Sequence, residues 1–345
     1  MLDIRKNTKV FVYCPAQVVT GGAELLHQLV DLLNKQGLNA FIVYYGDKGS
    51  QVPLAYNNYN IKVADSVEDN EENVVVFYEA VFDKIKAIKK AQVFLWWLSV
   101  DNFFIFGTNF INIADLCRFN LSFGLKIALS RCYQLIFKGR NLFRNTFSIK
   151  WLRNLDAVNA YQSEYAQNFL INNGFKLTTP LSDYINTDFY TGFSTKNRSN
   201  MVLYNPKKGF EFTKRLISNA KHLNWVPLEN MTREQLVAVF NESKLYVDFG
   251  YHPGKDRLPR EVALNGCCVI TGMRGSARFF EDVPLANEFK FDENKSSIDS
   301  ISRRIEEVLA NYEELVPKYD YYRAQILSEK EIFEEQVKQI FKVNS

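Results

Sequence analysis

The sequence predicts an α/β fold made of two Rossmann-like domains that face a central cleft. Three observations predict it. Short apolar runs rich in β-branched and aromatic residues alternate with segments of helical periodicity. The alternation occurs twice, on either side of a polar stretch at 178–200. Several of the apolar runs end in polar, Gly-containing turns that open a helix, as strand ends of a parallel sheet do.

In the first half, 10–14 (VFVYC) reads as a buried strand, and the segment from Ala23 to Gln36 as a helix with Leu25, Leu26, Leu29, Val30, Leu32 and Leu33 on its apolar face. Gly37 stops that helix and 40–45 (AFIVYY) is the next strand. Strand, glycine loop, helix and strand in this order form a βαβ unit, which requires parallel pairing. Further strands are expected at 74–78 and 93–100, a short helix at 83–90, a strand at 156–160 and a helix at 163–173 closed by Gly174. The polar stretch 178–200 reads as an interdomain linker. In the second half, strands are expected at 201–204, 224–227, 245–249 and 268–271, with helices at 210–220, 232–243 and from Arg260 to Asn265. The charged tail 298–343 reads as helical. The domain expectation is 1–180, carrying an insertion at 103–151, then 181–325, then a C-terminal helix at 326–345 that packs back on the first domain.

Composition narrows the function. Of 345 residues, 47% are hydrophobic and 23% charged, enough to build packed cores. A net charge of +3 argues against a general nucleic-acid binder. The 28 Phe and 18 Tyr call for a large core, a stacking site or a membrane-facing surface. The five Cys form no CxxC pair and only three His accompany them, so a metal site is not expected, and an odd Cys count fits a reducing cytoplasm. The N-terminal residues lack a secretory apolar region, and no run of 18 apolar residues suggests a spanning helix.

Four strand-end turns concentrate the chemistry. In the first, Gly21 and Gly22 let backbone N–H groups approach a ligand at a helix N-terminus, with Glu24 just inside it. The same pair also suits a plain strand-to-helix turn, and it lacks the GxGxxG spacing of a dinucleotide site. In the second, Lys207 and Lys208 precede Gly209 and are placed to neutralise a diphosphate, or form a solvated loop. The third, 248–261, gathers His252, Lys255, Arg257 and Arg260, with Pro259 in a helical first turn. There Glu261 either accepts from a ribose diol or complements the helix dipole. In the fourth, Arg274, Gly275 and Ser276 follow a strand, so that the amides of Gly275, Ser276 and Ala277 cradle a phosphate or make a simple glycine turn. In the first half, Glu79 and Asp101 stand at strand ends. Either can take a proton from a hydroxyl, or serve as a capping or surface carboxylate.

The run Glu261-Val262-Ala263-Leu264-Asn265-Gly266-Cys267-Cys268-Val269-Ile270 resembles the donor lobe of GT-B glycosyltransferases, especially the family-4-like group of the capsule and surface polysaccharide type. Lys208-Gly209 and Gly21-Gly22-Ala23-Glu24 are similar to the matching turns of that group. The resemblance covers most of the chain and is most specific at 246–283. It implies that Glu261 binds the donor ribose and that Lys208 with Arg257 or Arg260 binds the diphosphate. It also implies that no bound metal is needed, because basic groups stabilise the leaving diphosphate. Pro253 stands where the family has the first Glu of its pair, and His252 or Lys255 replaces its role.

From Arg118 to Arg153 the chain carries eight basic residues and no acidic one, interleaved with aromatic and aliphatic residues. Such a mixture favours an anionic membrane interface, here the inner leaflet beside a lipid-linked acceptor. It is equally the composition of an ordinary insertion on the acceptor lobe. The expected function is transfer of a sugar from a nucleotide-sugar donor to a hydroxyl of a glycan or lipid-linked acceptor in surface polysaccharide biosynthesis, in the cytoplasm or peripherally on the inner membrane face, without a cofactor. A catalytically inactive binding protein and a sugar-nucleotide epimerase are the other readings of the same residues.

Overall fold

The computed structural model describes residues 2–46, 49, 51–106, 121–138 and 148–344. The described chain forms two compact units. Unit 1 comprises Met1–Gln162, Ala166–Ser182 and Phe333–Ser345, and unit 2 comprises Ser163–Tyr165 and Asp183–Ile332.

Unit 1 is built on a six-stranded parallel sheet, β1 (Lys9–Pro15), β2 (Asn39–Tyr45), β3 (Val74–Tyr78), β4 (Gln92–Trp97), β5 (Ala157–Tyr161) and β6 (Thr178–Pro180), in the order β2-β1-β3-β4-β5-β6. Its central strands are apolar on both faces, as strands covered on both sides must be: all of Val74, Val75, Val76, Phe77, Phe94, Leu95, Trp96 and Trp97 are buried. The aromatic excess goes largely into this core. Trp97 packs against Phe82, Phe103, Phe169 and Phe175 at ring distances of 5.0, 5.4, 5.5 and 5.6 Å. The chain end belongs here too, since Phe333 stacks on Trp96 and Asn344 N–H donates to the Ile4 carbonyl.

Unit 2 holds a five-stranded parallel sheet, β7 (Ser199–Tyr204), β8 (Asn224–Pro227), β9 (Ser243–Asp248), β10 (Cys268–Gly272) and β11 (Lys290–Phe291), in the order β11-β10-β9-β7-β8. The helix Arg233–Glu242 is started by a capping box between Thr232 and Gln235. The helix Ile298–Ala310 is started by the Ser297 hydroxyl, which accepts from Ser300 N–H.

In both sheets the strand that opens the βαβ unit lies inside, with its successor on one side and the later strands on the other. Chain direction across the sheet therefore reverses between β1 and β3, and again between β7 and β9. Ligands of open parallel sheets bind beyond the carboxyl ends of the strands at such a reversal.

The structure departs from the sequence expectations in four places. The run 93–100 does not stay extended to its end. It leaves the sheet after Trp97, and the Ser99 hydroxyl accepts from Asn102 N–H to start the helix Val100–Phe106. The expected helix at 83–90 is a kinked 3-10 segment, Glu79–Ala87. The polar stretch 178–200 is not wholly a linker: β6 pairs with β5, and Pro180 is tolerated because this strand is at the sheet edge. The helix expected from Arg260 starts earlier, at Arg257, which places Glu261 beyond the first turn. Of the basic and aromatic insertion, Arg118, Phe119, Arg140, Leu142, Phe143, Arg144 and Phe147 lie outside the described residues.

Candidate functional site

The turns after β7, β9 and β10 in unit 2 touch one another through bare backbone. Gly209 opens the helix Phe210–Asn219 in a left-handed conformation, φ 63°. A Cβ there would lie 2.2 Å from the Phe249 carbonyl oxygen. Only glycine lets the turn after β7 close onto the end of β9. Gly275 has φ 59° and ψ −133°, and a Cβ there would lie 1.9 Å from the His252 carbonyl oxygen. That carbonyl accepts from Ser276 N–H at 2.9 Å, and the Ser276 hydroxyl donates to the Gly254 carbonyl at 2.7 Å. The turn after β10 is thus stitched to the turn after β9.

Asp256, a residue the sequence reading passed over, organises the side chains. Lys208 donates to both of its carboxylate oxygens, at 2.7 and 2.8 Å. His252 is fully buried between Asp248 and Asp256, with ring nitrogens 3.4 and 3.8 Å from their oxygens. Burial works against a charged imidazole, but Asp248 first and then Asp256 outweigh it and hold the His252 pKa above its ordinary value. Asp248 is buried as well, yet His252, the Tyr246 hydroxyl and Gly250 N–H hold its carboxyl down at about 2. Asp248, His252 and Asp256 are also the described residues whose ligand atoms cluster closely enough to hold a metal ion, within 4.8 Å of one another. Lys208 already occupies both Asp256 oxygens, so a cation there would have to displace an ammonium group.

Arg260 is placed differently from the sequence expectation. It is fully buried. Its guanidinium donates to both Asp183 oxygens at 3.0 and 2.7 Å, to Glu329 at 2.7 Å, and to the carbonyls of Asp256 and Lys255. All five N–H groups are consumed, which leaves none for a diphosphate. Lys255 joins the same cluster through Glu329 at 2.7 Å. These residues fasten the start of the helix Arg257–Leu264 to Asp183 and to the helix Asp320–Ile340. Removing one partner would leave buried charge uncompensated, at a cost of roughly 3–5 kcal/mol.

Lys207 is exposed at the rim of the turn, and Arg257 is half-buried at the first helical position. Glu261 is buried one helical turn below Arg257 on the same face. Arg274 reaches from the turn after β10 to Glu293, which follows β11. Burial pushes the Glu293 carboxyl up to about 7, against the pull of Arg274. Glu293 gave no sequence signal, because Asp292-Glu293-Asn294 reads as a plain polar turn.

The residues expected in the first half lie in unit 1, around the other reversal point. Thr20 caps the helix Gly21–Lys35, and a Cβ on Gly22 would meet nothing within 4 Å. Packing therefore does not demand glycine at that position. Glu24 is buried and accepts from the Tyr59 hydroxyl at 3.0 Å. Glu79 is buried at the end of β3 and accepts from Leu98 N–H at 3.0 Å. Burial pushes its pKa up to about 8. Its carboxyl thereby holds the turn that leads into the helix carrying Asp101, which is also buried.

No protein-family model matches the chain, and no curated protein sequence matches it. Solved structures do. Sucrose-phosphate synthase from Thermosynechococcus elongatus superposes with a TM-score of 0.64 at 10% identity, covering 97% of this chain and 98% of that one. A glycosyltransferase from Rickettsia africae gives 0.58 at 12% identity, covering 98% and 100%. HepE of Anabaena, solved in complex with UDP, gives 0.58 at 11% identity, covering 96% and 99%. At such identities the likeness establishes the fold: two parallel α/β units of GT-B type.

Proposed function

We propose that the chain is a glycosyltransferase that carries a sugar from a nucleotide-sugar donor to a hydroxyl of a glycan or lipid-linked acceptor in surface polysaccharide biosynthesis. The observation that carries this reading is the joining of three strand-end turns at the β7/β9 reversal, with Lys208, Arg274 and the Gly275 backbone in one knot; the Ser276 N–H, expected from the sequence to face a phosphate, is instead spent on the His252 carbonyl that ties two of the turns together. Exposed backbone N–H groups and cations at strand ends are the means by which proteins hold a diphosphate. HepE was solved with UDP and with UDP-glucose, and starch synthase IV of Arabidopsis with ADP, which supports a nucleoside diphosphate as the ligand class.

In this reading Lys208, Lys207, Arg257 and Arg274 face the diphosphate, and Glu261 accepts from the ribose. The cations stabilise the charge that develops on the leaving group without a metal ion. Asp101 takes the proton of the acceptor hydroxyl, and Glu79 fixes the turn on which Asp101 rides. Among the described residues no helix is long and apolar enough to cross a membrane. The helix Leu121–Lys138 nevertheless exposes Leu125, Leu129, Tyr133, Ile136 and Phe137, which supports a peripheral contact with an anionic leaflet.

Calorimetry with a panel of nucleotide sugars tests the donor assignment. Lys208→Ala and Glu261→Ala should each weaken binding about tenfold or more, the loss of one charge-assisted hydrogen bond. Unchanged affinity in both variants contradicts it. Pro253, at the position where similar donor lobes carry a Glu, favours a second reading as a binding protein. Tight binding with no release of nucleoside diphosphate in the presence of acceptors would establish that reading instead.

A further inference from the structure

Lys208, Lys255, Arg260 and Arg274 of the strand-end turns rest on carboxylates of the chain itself, and one of these carboxylates is held unlike the others. Asp256 is shared by Lys208 and His252, while Asp183 and Glu329 bind Arg260 together. Glu293 faces a single cation among the described residues, Arg274. Its side chain is 3% exposed, whereas that of Arg274 is 45% exposed. Apart from the Arg274 contact, neither Glu293 oxygen has a hydrogen-bond donor. Asp248, at the end of β9, and Asp292, its chain neighbour, add negative charge around it, and Asp248 is itself tied to His252 and Tyr246. Room for the carboxyl is made by Gly272, where a Cβ would lie 2.8 Å from Glu293 Oε1.

Arg274 therefore has one foot in solvent and one on a buried acid. It springs from the turn that also carries Gly275 and Ser276. A diphosphate seated on that turn offers the guanidinium several charged oxygens in bidentate geometry, a stronger partner than one carboxylate. Once Arg274 turns to it, Glu293 is left buried with no cation, and a buried carboxylate without compensation protonates rather than stay charged.

We propose that Glu293 is the stand-in anion of the donor site: it holds Arg274 while no donor is bound, and it takes up one proton from solvent when a nucleoside diphosphate draws Arg274 away. The proposal rests on the donor-site reading above. The carboxylate gains a proton, the ion pair to Arg274 breaks, and a new ion pair to phosphate forms. Because the bound state holds more protons than the free state, binding tightens as pH falls and weakens as pH rises. The effect sets in above the donor-free pKa of about 7 and approaches about tenfold in affinity per pH unit until the donor-bound value is reached.

The experiment is a calorimetric titration of the intact protein with UDP, and separately with ADP, at about pH 8, where the terminal phosphate is already ionised. It is run in two buffers of different ionisation enthalpy. The expected result is a binding heat that differs between the buffers by an amount corresponding to net proton uptake. Glu293→Gln should still bind, with no uptake and an affinity flat across this pH range. Equal heats in both buffers for the wild-type protein overturn the proposal and leave the donor site standing. Absence of binding by either nucleotide overturns the donor-site reading and this inference with it. The wild-type comparison decides the matter even if the Gln variant fails to fold.

Discussion

Gly275 shows how much one missing Cβ does in this molecule. Its backbone angles lie where L-residues are strained, and its α-carbon sits against the His252 carbonyl. Gly275→Ala must both adopt that backbone and push the turn after β10 off the turn after β9. We expect a loss of at least about 2 kcal/mol of unfolding free energy, read as a lower urea midpoint with an unchanged slope. A variant as stable as the wild type would show that the two turns are not locked together. The glycine was legible in the sequence because it stood in a strand-end turn with Arg and Ser beside it. The partners of Arg260 were not legible. Asp183 and Glu329 lie 77 and 69 residues from it, and no local spacing announces a guanidinium consumed by such distant acids. An arginine in a turn full of cations therefore reads as a ligand group when the fold makes it a clamp. Glu293 was hidden for the same reason, since its surroundings come from Arg274, Asp248 and the space its carboxyl takes over Gly272.

At the scale of elements, periodicity identified most strands and helices, and it erred where one run of apolar residues serves two structures. The eight residues from Val93 to Val100 look like a single strand, but a Ser99 cap and the Glu79 carboxyl divide them. β11, of two residues, is too short to leave a pattern. The helix Leu121–Lys138 carries a different lesson. Leu125, Leu129, Tyr133 and Ile136 recur at helical spacing, yet that face is exposed rather than packed, with Tyr133 and Phe137 in ring contact at 4.9 Å. A peripheral membrane contact through this face predicts that the protein floats with vesicles rich in phosphatidylglycerol at low salt. Binding should fall at about 0.5 M salt, where screening is strong. Leu129→Asp with Phe137→Asp should abolish it. Failure of the wild-type protein to float, or equal flotation of the double variant, rules this contact out.

For the molecule as a whole, both sheets share one arrangement: an opening strand in the interior, one neighbour on one side and the later strands on the other. That doubled plan was visible in the sequence as two rounds of strand, turn and helix. What the sequence could not give is where the turns converge, because convergence depends on strand order, and strand order depends on pairings between residues far apart along the chain. In unit 2 the order sets β7 beside β9, and this brings 205–209 against 249–256. The turn after β10 then closes over the second of these.

The proposed donor site requires that these three turns of unit 2 form one diphosphate-binding surface. Hydrogen–deuterium exchange of the intact protein, with and without a saturating nucleoside diphosphate, tests it most directly. Amides in 205–209, 250–256 and 273–277 should slow together on addition of the nucleotide. Slowing confined to one of the three, or falling on other segments while all three stay unchanged, would show that they do not form one such surface.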